Sequence, residues 1–248
     1  VSFNFQIYPP NLFFGFFSAN AVWLEELITV LDVSDENLIC ELQQNDTHLY
    51  LSAEPGLKVQ EAQSQGIAAA IMKSPENIKT NGEDQLRVVF DGDAVLFSHE
   101  SERINNRDGL QAFLNNEREK VEIPMKEGPF KSFLEDLERL KMKLQVKAPD
   151  EPCPIRTYLV TSRDGGCGGY RALNSLRTWG LMVDVAVFLG GTEKGPTLKR
   201  IRPNIFFDDQ QSHIKAALKV GTVACLVEGR GQKKTNGKVK RNVYTLSY

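Results

Sequence analysis

Apolar residues along this chain fall into short blocks that alternate between two periods. Leu49 to Leu51, Ile67 to Met72, Leu86 to Phe90, Ile155 to Val160, Val185 to Leu189, Ile205 to Phe207 and Thr222 to Val227 are compact runs rich in β-branched and aromatic residues. That is the character of strands buried on both faces. Between them lie stretches whose apolar residues recur three and four apart. The clearest is Phe130, Phe133, Leu134, Leu137, Leu140 and Leu144, with Pro129 at its first turn and Lys141 and Lys143 near its end. This spacing predicts an amphipathic helix with one face to bury. Further helices are expected around Leu57 to Gln65, closed by Gly66, around Leu110 to Glu117, and from about Tyr170 to Gly180. Strand and helix alternate, so the expected fold is α/β, with a doubly wound, mostly parallel, Rossmann-like sheet.

Residues 1–46 do not follow this alternation. Phe3, Phe5, Phe13, Phe14, Phe16 and Phe17 crowd around Pro9 and Pro10, and an acidic, helix-like stretch runs from Ala21 to Leu31. The most apolar segment, Leu12 to Leu24, is interrupted by Asn20 and ends at Glu25 and Glu26, too short to span a membrane. It also lacks the basic start of a signal peptide. The chain opens on Val1, which is expected of a fragment or a processed product.

Composition changes this picture little. With 248 residues, 41% of them hydrophobic, the chain can bury a full core. A formal net charge of -2 gives no overall case for nucleic-acid binding. Its distribution is uneven: no Lys or Arg precedes Lys58, and Arg230 to Arg241 carries six basic residues, read as a solvated tail. Cys40, Cys153, Cys167 and Cys225 lie far apart without metal-ligand spacing, so a reduced, cytoplasmic protein is expected.

The chemistry concentrates where strands end. In open α/β sheets ligands sit beyond the carboxyl ends of the strands. Leu86 to Phe90 delivers Asp91 and Asp93 across Gly92, whose freedom is expected to let the backbone turn sharply. Two carboxylates in one small volume call for a shared proton or a hard divalent ion such as Mg²⁺. Later strands end at Thr161 with Ser162 and at Asp208 with Asp209, and Lys194 lies just before the helix leading to that last pair. Taken singly each has an ordinary explanation: a turn, a strand-end hydroxyl, a solvated lysine, a helix N-cap. His213 reads as a surface helix residue, and no Ser-His-Asp or zinc pattern is visible.

The ordered set Asp-x-Asp, strand-terminal Thr, Lys, then Asp-Asp resembles the haloacid-dehalogenase-like phosphohydrolases. It is closer still to the cytosolic 5′-nucleotidases of type I, in Phe-Asp-Gly-Asp-Ala-Val-Leu-Phe-Ser (Phe90 to Ser98), Cys-Pro-Ile-Arg-Thr-Tyr-Leu-Val-Thr (Cys153 to Thr161), Lys-Gly-Pro (Lys194 to Pro196) and Ile-Arg-Pro-Asn-Ile-Phe-Phe-Asp-Asp-Gln (Ile201 to Gln210). The resemblance covers about His48 to Val227. It implies a haloacid-dehalogenase-like fold and Mg²⁺-dependent hydrolysis of nucleoside 5′-monophosphates, AMP foremost, through an aspartyl-phosphate. It further implies Asp91 as nucleophile, Asp93 as acid and base, Thr161, Ser162 and Lys194 on the phosphate, and metal held by Asp91, the Asp93 backbone carbonyl, Asp208 and Asp209. Which of Asp208 and Asp209 ligates directly stays open, as do a nucleotide effector and a homo-oligomer.

The 70 positions from Asp91 to Thr161 exceed a minimal crossover of about a dozen residues, which points to an insertion. The expected organisation is an aromatic N-terminal segment and partial front domain (1–82), a core (83–97 and 128–230), an inserted helical cap (98–127) and a basic tail (231–248). Phe97, His99, Glu100 and Arg103 at the start of the insertion are candidates for substrate contact. Two features depart from the family pattern. Asp164-Gly-Gly-Cys-Gly-Gly-Tyr stands where small Ala and Ser residues are expected, adding backbone freedom at the phosphate end. A faint echo of Leu49 to Ala70 in Ile205 to Leu226 suggests that the front region is the tail of a degenerate first copy. Two other readings remain: a nucleotide-binding scaffold that has lost turnover, and a phosphatase for another small ester.

Overall fold

Val88 and Phe90 point to one side of a central strand and Val89 to the other, and each side meets its own helices. A computed structural model of the chain describes residues 4–8, 37–79 and 85–228. Outside them lie most of the aromatic start, the Ala21 to Leu31 stretch and the basic tail.

Among the described residues eight strands form one sheet: β1 Asn4–Tyr8, β2 Thr47–Ser52, β3 Ala68–Lys73, β4 Leu86–Phe90, β5 Ile155–Thr161, β6 Val185–Phe188, β7 Ile205–Asp208 and β8 Ala224–Leu226. Their spatial order is β1-β2-β3-β8-β7-β4-β5-β6, and every pairing is parallel except β3 with β8. The mostly parallel, doubly wound α/β sheet expected from the alternation is therefore present, and β1–β3 belong to the same sheet as the strands that follow. The two stretches that echo one another in sequence are both parallel strand-helix-strand units, and they meet back to back at the antiparallel β3·β8 pair.

The described helices are α1 Leu38–Gln44, α2 Leu57–Ser64, α3 Glu100–Asp108, α4 Leu110–Glu119, α5 Lys131–Lys147, α6 Cys167–Thr178, α7 Gly195–Ile201 and α8 Gln211–Lys219. On one face α5 presents Phe133, Leu134 and Leu137, and α6 presents Ala172 and Leu176, to Val88, Phe90, Leu159 and Phe207. The rings of Phe90 and Phe207 stack at 5.5 Å, and Phe130 and Phe133 close over them. Burying four such aromatic side chains contributes about 1.5–3 kcal/mol each. On the opposite face α7 and α8 cover Val89, Val160 and Phe206, while α1 and α2 cover Tyr50, Ala69 and Ile71. No described helix is long and apolar enough to cross a membrane.

The long stretch between β4 and β5 contains α3, α4 and α5. Its first part leaves and rejoins the core on adjacent backbone: Ser98 N–H donates to the Lys126 carbonyl (2.8 Å), Gly128 N–H to Leu96 (2.8 Å) and Phe130 N–H to Val95 (3.0 Å). That seam anchors α3 and α4 immediately beside the carboxyl end of β4.

Candidate active site

Asp91 follows the last residue of β4, and the turn behind it is fastened on both sides. Its N–H donates to the Phe207 carbonyl of β7 (2.9 Å), and the amides of Leu96 and Phe97 converge on the Gly92 carbonyl at 3.0 and 2.9 Å. The left-handed residue of this turn is Ala94 (φ 60), not Gly92. Close approach favours glycine at 92 instead: a Cβ there would lie 3.1 Å from Thr161 Oγ1 and 3.4 Å from the Phe97 ring. The neighbouring strand end, rather than the dihedral, explains this residue.

Lys194, just ahead of α7, is fully buried, and its Nζ lies 2.5 Å from Asp91 Oδ1 and 2.6 Å from Asp208 Oδ2. A lysine placed this way is no solvated surface charge: it joins the ends of β4 and β7. Asp208 also accepts the Gln210 N–H (2.8 Å), and its two oxygens lie 3.0 Å from His213 Nδ1. His213 is thus turned into the site, contrary to its expected place on the helix surface. Asp209 Oδ1 is buried and has no hydrogen-bond partner among the described residues. Asp91, Asp208 and Asp209 each bring one oxygen to within 4.8 Å of the others.

These contacts pull the carboxyl groups apart electrostatically. Burial raises the Asp91 pKa to about 7, with Lys194 opposing the rise and Asp208 adding to it. Burial, then repulsion from Glu102 of α3, Asp91 and Asp208, raises Asp209 to about 9. Asp208 is equally buried, yet the hydrogen bond with His213 and the charge of Lys194 hold it below the ordinary carboxylate range. Lys194 is raised: burial opposes its charge, but Asp91 and Asp208 outweigh burial. One anion is stabilised and two neighbours are crowded.

Asp93 faces a different partner, one not recognised in the sequence. Arg163, two residues past β5, donates Nε to Asp93 Oδ2 (2.8 Å) and Nη2 to Asp93 Oδ1 (2.7 Å). Its side chain is 1% exposed. Arg163 directly follows the Thr161-Ser162 pair, so its position at a strand end was the available signal.

Of the other predicted residues, Thr161 is buried, with Oγ1 accepting the Arg163 N–H (3.3 Å), while Ser162 is exposed. Phe97 lies wholly in the core, 5.6 Å from the Trp179 ring, rather than on an open surface. His99 precedes α3 and lines a cleft with Glu127, Lys131 and Ser132. Arg103 is exposed on α3 and lines a cleft with Glu100, Asn106 and Arg107, a lining that contains none of the three clustered carboxylates.

The glycine-rich loop is open at Gly165 and tightly packed at Gly169. Asp164 Oδ1 accepts the Gly166 N–H (2.8 Å), Gly168 and Gly169 are buried in the first turn of α6, and a Cβ on Gly169 would lie 2.5 Å from the Asp164 carbonyl oxygen.

The sequence is similar to those of known proteins. The family model described as 5′-nucleotidase matches residues 34–233. Cytosolic 5′-nucleotidase 1B of Homo sapiens is 48% identical over 178 residues, 72% of this chain and 29% of that protein. The chain therefore spans under a third of that relative's length. A solved Thermotoga maritima structure, a candidate β-phosphoglucomutase, is 18% identical with a TM-score of 0.31, covering 56% of this chain and 82% of its own; the likeness is too slight to carry an argument.

Proposed function

The chain belongs to the 5′-nucleotidase family, and on that premise we propose that it hydrolyses nucleoside 5′-monophosphates, AMP foremost, to nucleoside and phosphate in the cytoplasm. The observation that carries this reading is the buried Asp91 carboxylate, 2.5 Å from Lys194, at a point where Asp208 and Asp209 converge. The buried lysine suits a phosphate oxygen, while the three converging carboxylates would repel a dianion unless a cation sits among them.

In this reading an Asp91 oxygen attacks phosphorus, and the bond from phosphorus to the nucleoside 5′ oxygen breaks. Asp93 gives that oxygen its proton. Water then attacks the aspartyl-phosphate, Asp93 takes the water's proton, and phosphate leaves with Asp91 restored. Lys194, Thr161 and Ser162 donate to the phosphoryl oxygens. The segment 98–127 covers the site and keeps out bulk water.

The residues fit a hard divalent cation. The donors are all oxygen, Asp209 Oδ1 lacks a partner among the described residues, and the burial and like-charge crowding that raise Asp91 and Asp209 are what a cation relieves. Asp91, Asp208, Asp209 and the Asp93 carbonyl would hold Mg²⁺, which when bound supplies positive charge against the transferring phosphoryl group.

The test is phosphate release from a panel of nucleoside monophosphates and unrelated phosphate esters, with Mg²⁺ and with a chelator. Turnover confined to nucleotides and abolished by chelation is expected. Preference for another ester, or full activity in the chelator, would overturn the reading.

A further inference from the structure

Asp93 is held from outside the catalytic loop, and the group that holds it is tied to the inserted segment. Every N–H of the Arg163 guanidinium has an acceptor: Nε and Nη2 the two Asp93 oxygens, Nη1 Glu117 Oε2 (2.5 Å) and the Gly168 carbonyl (3.3 Å), and Nη2 also Met125 Sδ (3.0 Å). Glu117 lies on α4 and is 1% exposed. It accepts further hydrogen bonds from Arg171 Nη1 (2.9 Å) and from Ser101 Oγ on α3 (2.8 Å). One helical turn earlier on α4, the Phe113 ring lies 5.5 Å from the Arg163 guanidinium carbon. Arg163 therefore stands between Asp93 and both helices of the insertion, touching α4 through a carboxylate and a ring.

We propose that Arg163 is the positioning residue for Asp93, and that Glu117 makes this positioning depend on how α3 and α4 are seated. The proposal rests on the reading of Asp93 as the group that protonates the departing nucleoside oxygen. Both Asp93 oxygens accept from one rigid fork, so the guanidinium sets the direction of the carboxylate, and one of the two bonds must open for Asp93 to carry the proton it gives. A lysine at 163 keeps the charge but cannot make the two parallel bonds. A glutamine at 117 keeps the shape but removes the anion that two arginines share. Neither Arg163 nor Glu117 reaches the reacting atoms, so each acts through Asp93.

A positioning role and a merely structural one differ in which substrates suffer. A nucleoside alkoxide leaves only with a proton, whereas p-nitrophenolate leaves unaided, and general acid catalysis contributes about 10²–10⁴-fold where it is needed. In the full chain with Mg²⁺, Arg163→Lys is expected to lower kcat/KM for AMP by about 10²-fold and for p-nitrophenyl phosphate by less than about 3-fold. Glu117→Gln should shift the ratio in the same direction by less. Equal losses on both substrates would overturn the proposal.

A second measurement does not need turnover. Amide hydrogen exchange in 100–119 should quicken in Arg163→Gln while β4 and β5 keep their protection. Unchanged exchange in 100–119 would overturn the coupling to the insertion. Quickened exchange in a protein that hydrolyses neither ester would locate the failure in the proposed reaction rather than in the link between Arg163 and the helices.

Discussion

Lys194 Nζ lies 2.5 Å from Asp91 Oδ1, and both side chains are withdrawn from solvent. This single contact spans two elements far apart in sequence and brings the end of β4 to the start of α7. Removing the cation leaves Asp91 and Asp208 crowded without a counter-charge. Breaking a buried pair in this way costs about 3–5 kcal/mol. Lys194→Met should therefore unfold at clearly lower urea than the parent chain, beyond any loss of activity. An unchanged midpoint would show that the lysine is not needed to hold the carboxylates together.

Most of the fold can be read from local patterns, because strand composition and helical spacing are properties of short stretches. β4, β5 and the α5 helix are each evident from their own residues, and Asp91, Lys194 and Asp208 come together in the structure, with Thr161 Oγ1 on the neighbouring strand facing Gly92. What the sequence did not reveal depends on distant pairs. Arg163 gains its meaning from Asp93 and Glu117, 70 and 46 positions away. His213 has no local signal that sets it apart from other helix residues, yet its Nδ1 lies 3.0 Å from Asp208 Oδ1. Gly92 reads as a turn glycine in sequence, whereas its Cβ position is crowded by Thr161 Oγ1 at 3.1 Å from the neighbouring strand end.

The glycines after Arg163 separate close packing from backbone freedom. Gly169→Ala would place a methyl 2.5 Å from the Asp164 carbonyl oxygen, a fixed backbone atom, whereas a Cβ on Gly165 would have nothing within 4 Å. Overpacking of this kind costs about 1–3 kcal/mol. Urea unfolding of the two variants should show a loss of that order for Gly169→Ala and a near-neutral effect for Gly165→Ala. Similar behaviour of both would contradict the packing account.

At the other end of β5, Asp184 tests how a structural carboxylate responds to acid. Burial works against its charge, but hydrogen bonds from Lys141 Nζ (2.7 Å) and from the Thr157 N–H (2.7 Å) prevail and lower its pKa from the ordinary 3.8. A carboxylate depressed in the folded state adds stability above its unfolded pKa, and that stability is lost as pH falls through the folded value. The stability difference between the parent chain and Asp184→Asn should be full near neutrality and shrink below pH 3.8. A difference that grows in acid would reverse the sign of the argument.

In the proposed reaction Asp91 carries the phosphoryl group, and chemical trapping detects that intermediate. Protein quenched during turnover of AMP with Mg²⁺ and reduced with borohydride should yield homoserine at position 91 by peptide mass spectrometry, because an acyl phosphate is reduced where a free carboxylate is not. Asp91→Asn should release no phosphate and give no such product. Wild-type turnover by Asp91→Asn, or trapping at another carboxylate, would contradict the account.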